Sequence, residues 1–440
     1  MFKLFGKKNK EPKPLKHKKG SQSNQTPAVE PAIEFSPVFN FADNFIALYC
    51  NKEPSVPVGK YNGRQIDIAV GALKCNDILI VNNDENSICT KHIAPMLQKG
   101  GMSYILYDKT GKYYEQFAPM MKSNGYDVQL IDFADESNPS RIDIFEVLNT
   151  IKNPYWLSII ISSSIKCNAQ ELKVAHNLFM AMFEYLFSGT ETVDFVTLYG
   201  LFNNIRNKDM DTLNAIIQCE KARKFMMLLT KNEQEVIRST YEKADNLFFK
   251  NVFAKVKEPN IYTMATHQKK TIFFVKPVPA RYRVLSTILM MNIKTANVIC
   301  GYGKPSTLLV KFPGDSWYHE ALLDKVCEDV GNMGNSVAEL TFSDTVGDDA
   351  YRKAHGKQLI IFEKTEDKLT KEFVIEQTKI KNWSKDGQMF ISESYFDGKQ
   401  IPAYAMEASP LTYNELDTLH DCIVIEPCDV SDPFRCDYLV

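Results

Sequence analysis

The chain has little net charge, no long apolar run and no closely spaced cysteine pair. Its 52 basic and 54 acidic side chains leave a formal charge of −2 at pH 7, which excludes the overall basic field of a general nucleic-acid binder. No apolar stretch reaches the ~18 residues that a membrane span needs, and the first residues lack the apolar core of a secretory signal. None of the ten cysteines forms a C-x-x-C pair, a scatter typical of reduced thiols in the cytosol. The composition therefore predicts a soluble body whose charged surfaces are local.

Charge is concentrated at the start of the chain. The first 20 residues hold eight lysines against one acid, and the stretch that follows is rich in Ser, Gln and Pro. Such a segment is too polar to pack, so we expect a disordered tail over residues 1–35. The tail could bind an anionic membrane face, where each lysine contributes about 1 kcal/mol, or nucleic acid; equally, it could only aid solubility. The first lysines available for such contacts are Lys3, Lys7, Lys8 and Lys10.

Two strand–helix units follow one another between Asp77 and Leu148. Three apolar runs have strand length, namely Asp77–Asn82, Ser103–Tyr107 and Asp127–Phe133. The segments between them have helical periodicity, Glu85–Lys99 in the first and an apolar face of Tyr113, Phe117, Met120 and Met121 in the second. This alternation predicts right-handed crossovers and a parallel α/β sheet. In such a sheet the ligand-bearing loop lies at the carboxyl end of the first strand.

The pattern changes twice in the rest of the chain. From Pro154 helical periodicity takes over, with an apolar face formed by Leu172, Ala175, Leu178, Phe179, Met182, Phe183 and Leu186. From Thr271 strand-like runs return, beginning with TIFFVK. The sequence therefore predicts one α/β domain that is split by an all-helical domain. The predicted segments are a Lys-rich tail over 1–35, the first part of the α/β domain over 36–153, the helical insertion over 154–262, and the second part with a C-terminal appendage over 263–440.

The loop after the first strand is chemically wrong for a phosphate. A GxxxxGKS or GxxxxGKT loop closes backbone N–H groups on phosphate through its glycines, and its lysine and hydroxyl reach the phosphates and Mg²⁺. Here no glycine occurs between Gly71 and Gly100, and no Gly-Lys pair in the chain precedes Ser or Thr. Ile88 and Cys89 stand where lysine and a hydroxyl are needed. The vestigial loop comprises Asn82, Asn83, Asp84, Glu85, Asn86, Ser87, Ile88 and Cys89.

The acids that would order Mg²⁺ and water at the end of a later strand are also missing. The strand STLLVKF ends in Val310, Lys311 and Phe312, which are apolar or basic. Asp108 ends another strand and could be catalytic, but without a metal partner it is more typical of a cap for the next helix. Both parts of a nucleotide-hydrolysing site are therefore absent together.

Two other clusters have both a functional and an ordinary interpretation. His420, Cys422, Cys428 and Cys436 lie close in sequence, but their spacing does not fit a zinc site, so we expect no metal. Basic residues of the helical segment could contact DNA phosphates or form a solvated helix face. They are Arg206, Lys208, Lys221, Arg223, Lys224 and Lys231.

The run SYILYDKTGKYYEQFAPMMKSNGYDVQLIDFADES resembles the conserved segment of type IV secretion coupling proteins, the conjugative DNA-transfer ATPases. The family pattern of a strand, Asp-Pro-Lys-Gly-Glu, a helix, Gly-Tyr and a strand has counterparts here in Asp108–Lys112 and Gly125-Tyr126. Leu308–Phe312 stands where the family has Leu-Leu-Asp-Glu-Phe, and the segments 356–379 and 416–439 resemble its later units. The similarity follows the family order over most of residues 60–440.

This resemblance implies a RecA-like parallel-sheet NTPase core, in degenerate form, interrupted by an all-helical domain, and a setting in conjugation. The phosphate loop, the acid pair and the family's two membrane-spanning helices are absent, so it does not imply ATP hydrolysis. We therefore expect a pseudo-ATPase without catalytic residues, cofactor or metal, acting as an adaptor or as a subunit that recruits DNA and the relaxosome.

The expected partners are type IV secretion proteins, DNA or relaxase at the helical domain, and the inner face of the cell membrane at the tail. The chain would act there as a homo- or hetero-oligomer of a mobile genetic element's transfer system. Two alternatives stay open, an active translocase with a non-standard nucleotide site and a stand-alone DNA- or protein-binding module.

Overall fold

The computed structural model is built around a nine-stranded β-sheet. The structure describes residues 54–61, 64–70, 77–82, 84–135, 145–164, 168–189, 193–206, 210–229, 261, 269–300, 307–312, 318–330, 337–346, 359–380, 395–396, 399–400, 411–417, 419, 422–425 and 434–436. The strands are β1 Ser55–Tyr61, β2 Arg64–Ala69, β3 Asp77–Val81, β4 Ser103–Tyr107, β5 Asp127–Ile131, β6 Thr271–Val275, β7 Thr307–Lys311, β8 Ala338–Ser343, β9 Leu359–Phe362, β10 Tyr395–Phe396, β11 Lys399–Gln400, β12 Cys422–Ile425 and β13 Phe434–Cys436. The pairs β1–β2 and β10–β11 form two small antiparallel sheets of their own.

The strands of the large sheet lie in the order β13-β12-β9-β3-β8-β7-β4-β6-β5. From β9 to β5 all neighbours are parallel, whereas β12 and β13 pair antiparallel at one edge. The predicted parallel α/β sheet is therefore confirmed. The spatial order differs from the order along the chain: β8 and β7 lie between β3 and β4, and β6, which follows the helical segment, lies between β4 and β5. The sheet is thus completed only by strands from both sides of that segment.

Helices connect the parallel strands and also form the long middle segment. The helix after β3, here α1, has three consecutive parts, Glu85–Ile88, Cys89–Ile93 and Ala94–Lys99. The others are α2 Lys112–Ser123, α3 Glu146–Ile151, α4 Tyr155–Ser163, α5 Ala169–Gly189, α6 Phe195–Arg206, α7 Met210–Gln218, α8 Glu220–Leu229, α9 Arg283–Cys300, α10 Glu320–Val330, α11 Lys368–Ile380 and α12 Tyr413–Asp417. The middle part of α1 is a π-helical turn. Pro95 follows it, and because proline has no N–H it cannot donate to the carbonyl of residue 91, which favours a widened turn.

The two faces of the sheet pack against different helices. Alternate strand residues such as Tyr104, Phe274 and Val310 are buried with side chains of α1 and α2. The intervening residues, such as Ile105 and Phe273, are buried with side chains of α4, α5 and α9. Burial on both sides explains why these strands are nearly continuous apolar runs instead of alternating ones. The helical segment and one sheet face consequently share one hydrophobic cluster.

The predicted helical face in the middle of the chain is confirmed at α5. Ala175, Leu178, Phe179, Met182, Phe183 and Leu186 are all at most 5% exposed, and Leu172 is half-buried. The strands β1 and β2 pair antiparallel, and β12 near the end of the chain is joined by β13. The tail, residue 83 and most of the C-terminal appendage lie outside the described residues.

Candidate functional site

The candidate site is the start of α1, at the carboxyl end of β3. Asn82 follows the strand, and α1 begins at Glu85. Asp84 is the N-cap of this helix, and its Oδ1 accepts hydrogen bonds from the N–H groups of Asn86 at 3.0 Å and Ser87 at 3.2 Å. The N–H groups at a helix start attract anions because of the helix dipole. In this chain the Asp84 carboxylate already accepts from two of them.

Three polar side chains fill the space behind this helix start. Asn82 Nδ2 donates to Glu363 Oε2 at 2.5 Å and to Ser87 Oγ at 3.2 Å, and Glu363 Oε1 lies 2.8 Å from His92 Nε2. Asn82, His92 and Glu363 are 3%, 2% and 1% exposed. We call these three residues the Glu363 cluster. It links β3, α1 and the loop after β9 in the interior of the protein.

Glu363 is held as a carboxylate by its neighbours. Burial alone would raise the pKa of Glu363, but the charge and hydrogen bond of His92, the hydrogen bond of Asn82 and the charge of Lys91 outweigh this and lower the pKa. The backbone N–H groups of Glu363 and Lys364 both donate to the carbonyl of Val81 at 3.2 Å. The carboxylate is therefore positioned by the extension of the β9–β3 pairing, directly beside the end of β3.

The positions of the two missing acids turn to opposite faces of the sheet. Val310 is fully buried in the cluster that contains the side chains of α1. Lys311 points to the other face, where its Nζ forms ion pairs with Glu339 and, at 3.2 Å, with Glu320, and lies 5.8 Å from the Tyr318 ring centroid. Burial opposes the charge of Lys311, yet Glu339, Tyr318 and Glu320 raise its pKa well above the usual value. Neither side chain can serve a metal ion at the carboxyl end of β3.

A row of aromatic rings crosses the carboxyl ends of β7 and β8. Tyr113 of α2 stacks on Phe312 with ring centroids 5.7 Å apart, and Phe312 stacks on Phe342 at 5.4 Å. The ring of His92 lies 5.6 Å from Phe342. Burial, with the nearby Cys89, Glu85 and Asp108, raises the pKa of Tyr113. The surroundings of α1 are therefore apolar or acidic.

Asp108 has a local role at the start of α2. It is buried at the end of β4, and its Oδ2 accepts a hydrogen bond from the Tyr114 N–H at 2.8 Å. Gly111, at φ +81°, makes the turn between them. The other carboxylate oxygen of Asp108, Oδ1, is buried and has no hydrogen-bond partner within the described chain. The structure thus places Asp108 as an acceptor for the first turn of α2.

The other sequence candidates are spread over the molecule. Lys221, Arg223 and Lys224 are exposed on α8, whereas Lys3, Lys7, Lys8, Lys10, Asn83, Lys208, Lys231, His420 and Cys428 lie outside the described residues. Cys422 is buried in β12, and no side-chain description exists for Arg206 or Cys436. In the part of the chain that is described, no three His, Cys, Asp or Glu residues form a group suited to a metal ion. Within the same part, no helix has the length and apolarity to cross a membrane.

The sequence predicted an unsuitable loop but missed what replaces it. Glu363 and His92 are 271 residues apart in sequence, and Glu363 and Asn82 are 281 apart. The available signal was a charged residue directly after the apolar strand LIIF, at the carboxyl end of a neighbouring parallel strand.

Comparison with known proteins gives matches at the level of structure. No family model matches the chain, and no curated protein sequence matches it. Among solved structures, the bacterial conjugative coupling protein TrwBdeltaN70 in its unbound monoclinic form matches with a TM-score of 0.52 at 11% identity, over 90% of each chain. Its trigonal form with sulphate and plasmid coupling protein TrwB with the ATP analogue ADPNP both match with a TM-score of 0.50 at 10% identity, over 90% of this chain and 91% of theirs. At this identity the similarity establishes the fold: the chain is built like the conjugative coupling protein TrwB.

Proposed function

We propose that this chain is a non-catalytic, coupling-protein-like component of a conjugative type IV secretion system. It would act as an adaptor or as a subunit that recruits DNA and relaxosome proteins. The observation that carries the proposal is the start of α1, where the N–H groups that would bind a phosphate are bonded to the Asp84 carboxylate. The fold similar to TrwB supports the conjugative setting.

The residues at this site do not fit a nucleotide with Mg²⁺. A polyphosphate needs backbone N–H groups, a lysine and a hydroxyl, and Mg²⁺ needs oxygen ligands. The site instead offers the carboxylates of Asp84 and Glu85, with Ile88 buried and Cys89 hydrogen-bonded to Gln116 at 3.7 Å. Glu363 adds a further negative charge behind the loop. Carboxylates repel polyphosphate, so we derive no hydrolytic step.

The test is a calorimetric titration of the full chain with ATP and Mg²⁺. We expect no heat of binding at millimolar nucleotide and no phosphate release. Micromolar binding would overturn the non-catalytic proposal and favour the translocase with a non-standard site. A parallel titration with the variant Asp84→Asn should also give no heat of binding, because removal of one negative charge does not restore the missing lysine and glycines.

We also propose that the helical segment contacts DNA or relaxase, because α8 carries exposed positive charges. Lys221, Arg223 and Lys224 face solvent within four residues. If they contact phosphates, the slope of log affinity against log salt for single-stranded DNA should fall by about 2 in the triple Gln variant, at about 0.7 per phosphate. An unchanged slope would assign these residues to a solvated helix face.

Peripheral membrane association is proposed for the lysine-rich start of the chain. Eight lysines in the first 20 residues suit an anionic surface. Deletion of residues 1–20 should abolish co-sedimentation with vesicles that contain phosphatidylserine, while neutral vesicles should not bind either form. Equal co-sedimentation of both forms with anionic vesicles would refute the assignment.

A further inference from the structure

A cavity of about 430 Å³ lies where α4 meets α9 and α10. Ser163 at the end of α4, Arg283 at the start of α9 and the residues from Tyr318 to Leu322 line it. These helices pack against one another, so the cavity lies between α4 of the helical segment and the helices α9 and α10. Its walls combine the polar or charged side chains of Ser163, Arg283, Tyr318, His319 and Glu320 with apolar surface. None of them belongs to the loop after β3.

Two potential cations face this cavity. Arg283 is exposed and His319 is half-buried. Neither side chain forms an ion pair or a hydrogen bond with another residue of the described chain. Burial lowers the pKa of His319, and the positive charge of Arg283 lowers it further. Arg283 therefore places one positive charge at this side of the cavity, and His319 faces the cavity mainly as a neutral imidazole.

The Thr287 side chain links the backbones of these two residues. Thr287 Oγ1 accepts a hydrogen bond from the His319 N–H at 3.0 Å and donates one to the Arg283 carbonyl at 2.7 Å. His319 directly precedes α10, whose first N–H groups have no acceptor within the helix. The one acid of the cavity wall, Glu320, is paired with Lys311 at 3.2 Å. The Arg283 guanidinium, the His319 imidazole, the Ser163 hydroxyl and the start of α10 therefore line one cavity, and the carboxylate in its wall is paired with Lys311.

We propose that this cavity binds a phosphate group between Arg283, His319 and the start of α10. The guanidinium would supply a bidentate contact, and the Ser163 hydroxyl is a further donor. A bound anion would favour the charged form of His319. The cavity is larger than phosphate alone, which leaves room for the molecule that carries it. This site is independent of the proposed loss of catalysis at α1.

The test follows His319 by NMR in the full chain labelled at its seven histidines. His319→Gln assigns the signal. Inorganic phosphate and, separately, a short oligothymidine are added at constant ionic strength. We expect the pKa of His319 to rise by about half a pH unit or more when the anion binds, as for a histidine that gains an opposite charge. Arg283→Gln should abolish the rise, and Lys325→Gln, an exposed change on the same helix, should leave it unchanged.

The signals of the other histidines separate the outcomes. His176 is hydrogen-bonded to Ser158 and packs on Tyr155, so its unchanged signal shows that Arg283→Gln is folded. A rise with inorganic phosphate identifies a free phosphate or monoester as the ligand, and a rise with oligothymidine alone identifies a nucleic-acid backbone. No rise with either probe, or an equal rise in Arg283→Gln, overturns the site.

Discussion

The Glu363 cluster should be a strongly coupled structural element. We consider His92→Leu, Glu363→Met and the double variant. Removal of one partner leaves the other buried without its counter-charge or hydrogen-bond partner, which typically costs about 3–5 kcal/mol for a buried ion pair and about 1–3 kcal/mol for a buried hydrogen bond. Glu363→Met also removes the 2.5 Å bond from Asn82. We expect each single variant to lose about 2–4 kcal/mol and the double variant to lose at least about 1 kcal/mol less than their sum.

Hydrogen–deuterium exchange of the peptide that covers β3 and α1 measures these free energies at the site. The exposed Glu366→Gln is the control and should stay within about 0.5 kcal/mol of the parent chain. The pKa of Glu363 is lowered in the folded state, so its stabilisation is present above its unfolded value of 4.5 and is lost as pH falls through the folded value. The difference between the parent and Glu363→Met should shrink accordingly in acid. Strictly additive single effects, or a loss below about 0.5 kcal/mol, would refute the coupling.

Two further predictions concern the charged residues on the other face of the sheet. Burial and the charge of Glu339 raise the pKa of Asp77 from 3.8 to about 7, so the folded state loses stability as pH rises through 7. Asp77→Asn should therefore unfold at a higher temperature than the parent at pH 8 and at a similar one near pH 4; a constant difference at both pH values would contradict the raised pKa. Lys311→Met leaves Glu339 without its principal cation and should destabilise the protein by about 3–5 kcal/mol in urea unfolding, and Lys311→Met with Glu339→Met should recover part of this. No recovery in the double variant would show that the two residues act separately.

The sequence was sufficient for the central strands of the sheet because strands such as β4, β6 and β7 are buried on both faces. Runs such as SYILY and TIFFV have no charged residue and are buried along their whole length, so burial explains both their composition and their pairing in a parallel sheet. The position of β6 between β4 and β5 was not predictable in the same way. Their adjacency depends on packing of the intervening helices, which no local pattern records.

The chemistry of the site likewise has a part that the sequence predicts and a part that only the fold determines. That Asp84 and Val310 are wrong for a nucleotide follows from residue type alone, since charge and hydrogen-bonding capacity are local properties. The partners that replace the ligand are set by tertiary structure. Lys311 finds Glu339 on the next strand and Glu320 on α10, and His92 meets Glu363 across 271 residues. A sequence shows that a buried charge needs a partner, and the fold decides which one.

The Glu363 cluster also explains why this region can be ordered without a ligand. A protein that binds a ligand in its native state gains RT ln(1 + [L]/Kd) of stability, so polar groups arranged for a ligand depend on it to be satisfied. Here Asp84 accepts from the Asn86 and Ser87 N–H groups at the start of α1, and Glu363 accepts from Asn82 and pairs with His92 Nε2, whereas His92 Nδ1 has no hydrogen-bond partner among the described residues. Because the same groups cannot be hydrogen-bonded twice, a nucleotide would have to break these contacts before it could make its own. The geometry at the end of β3 is therefore that of a conformation fixed by contacts within the protein itself.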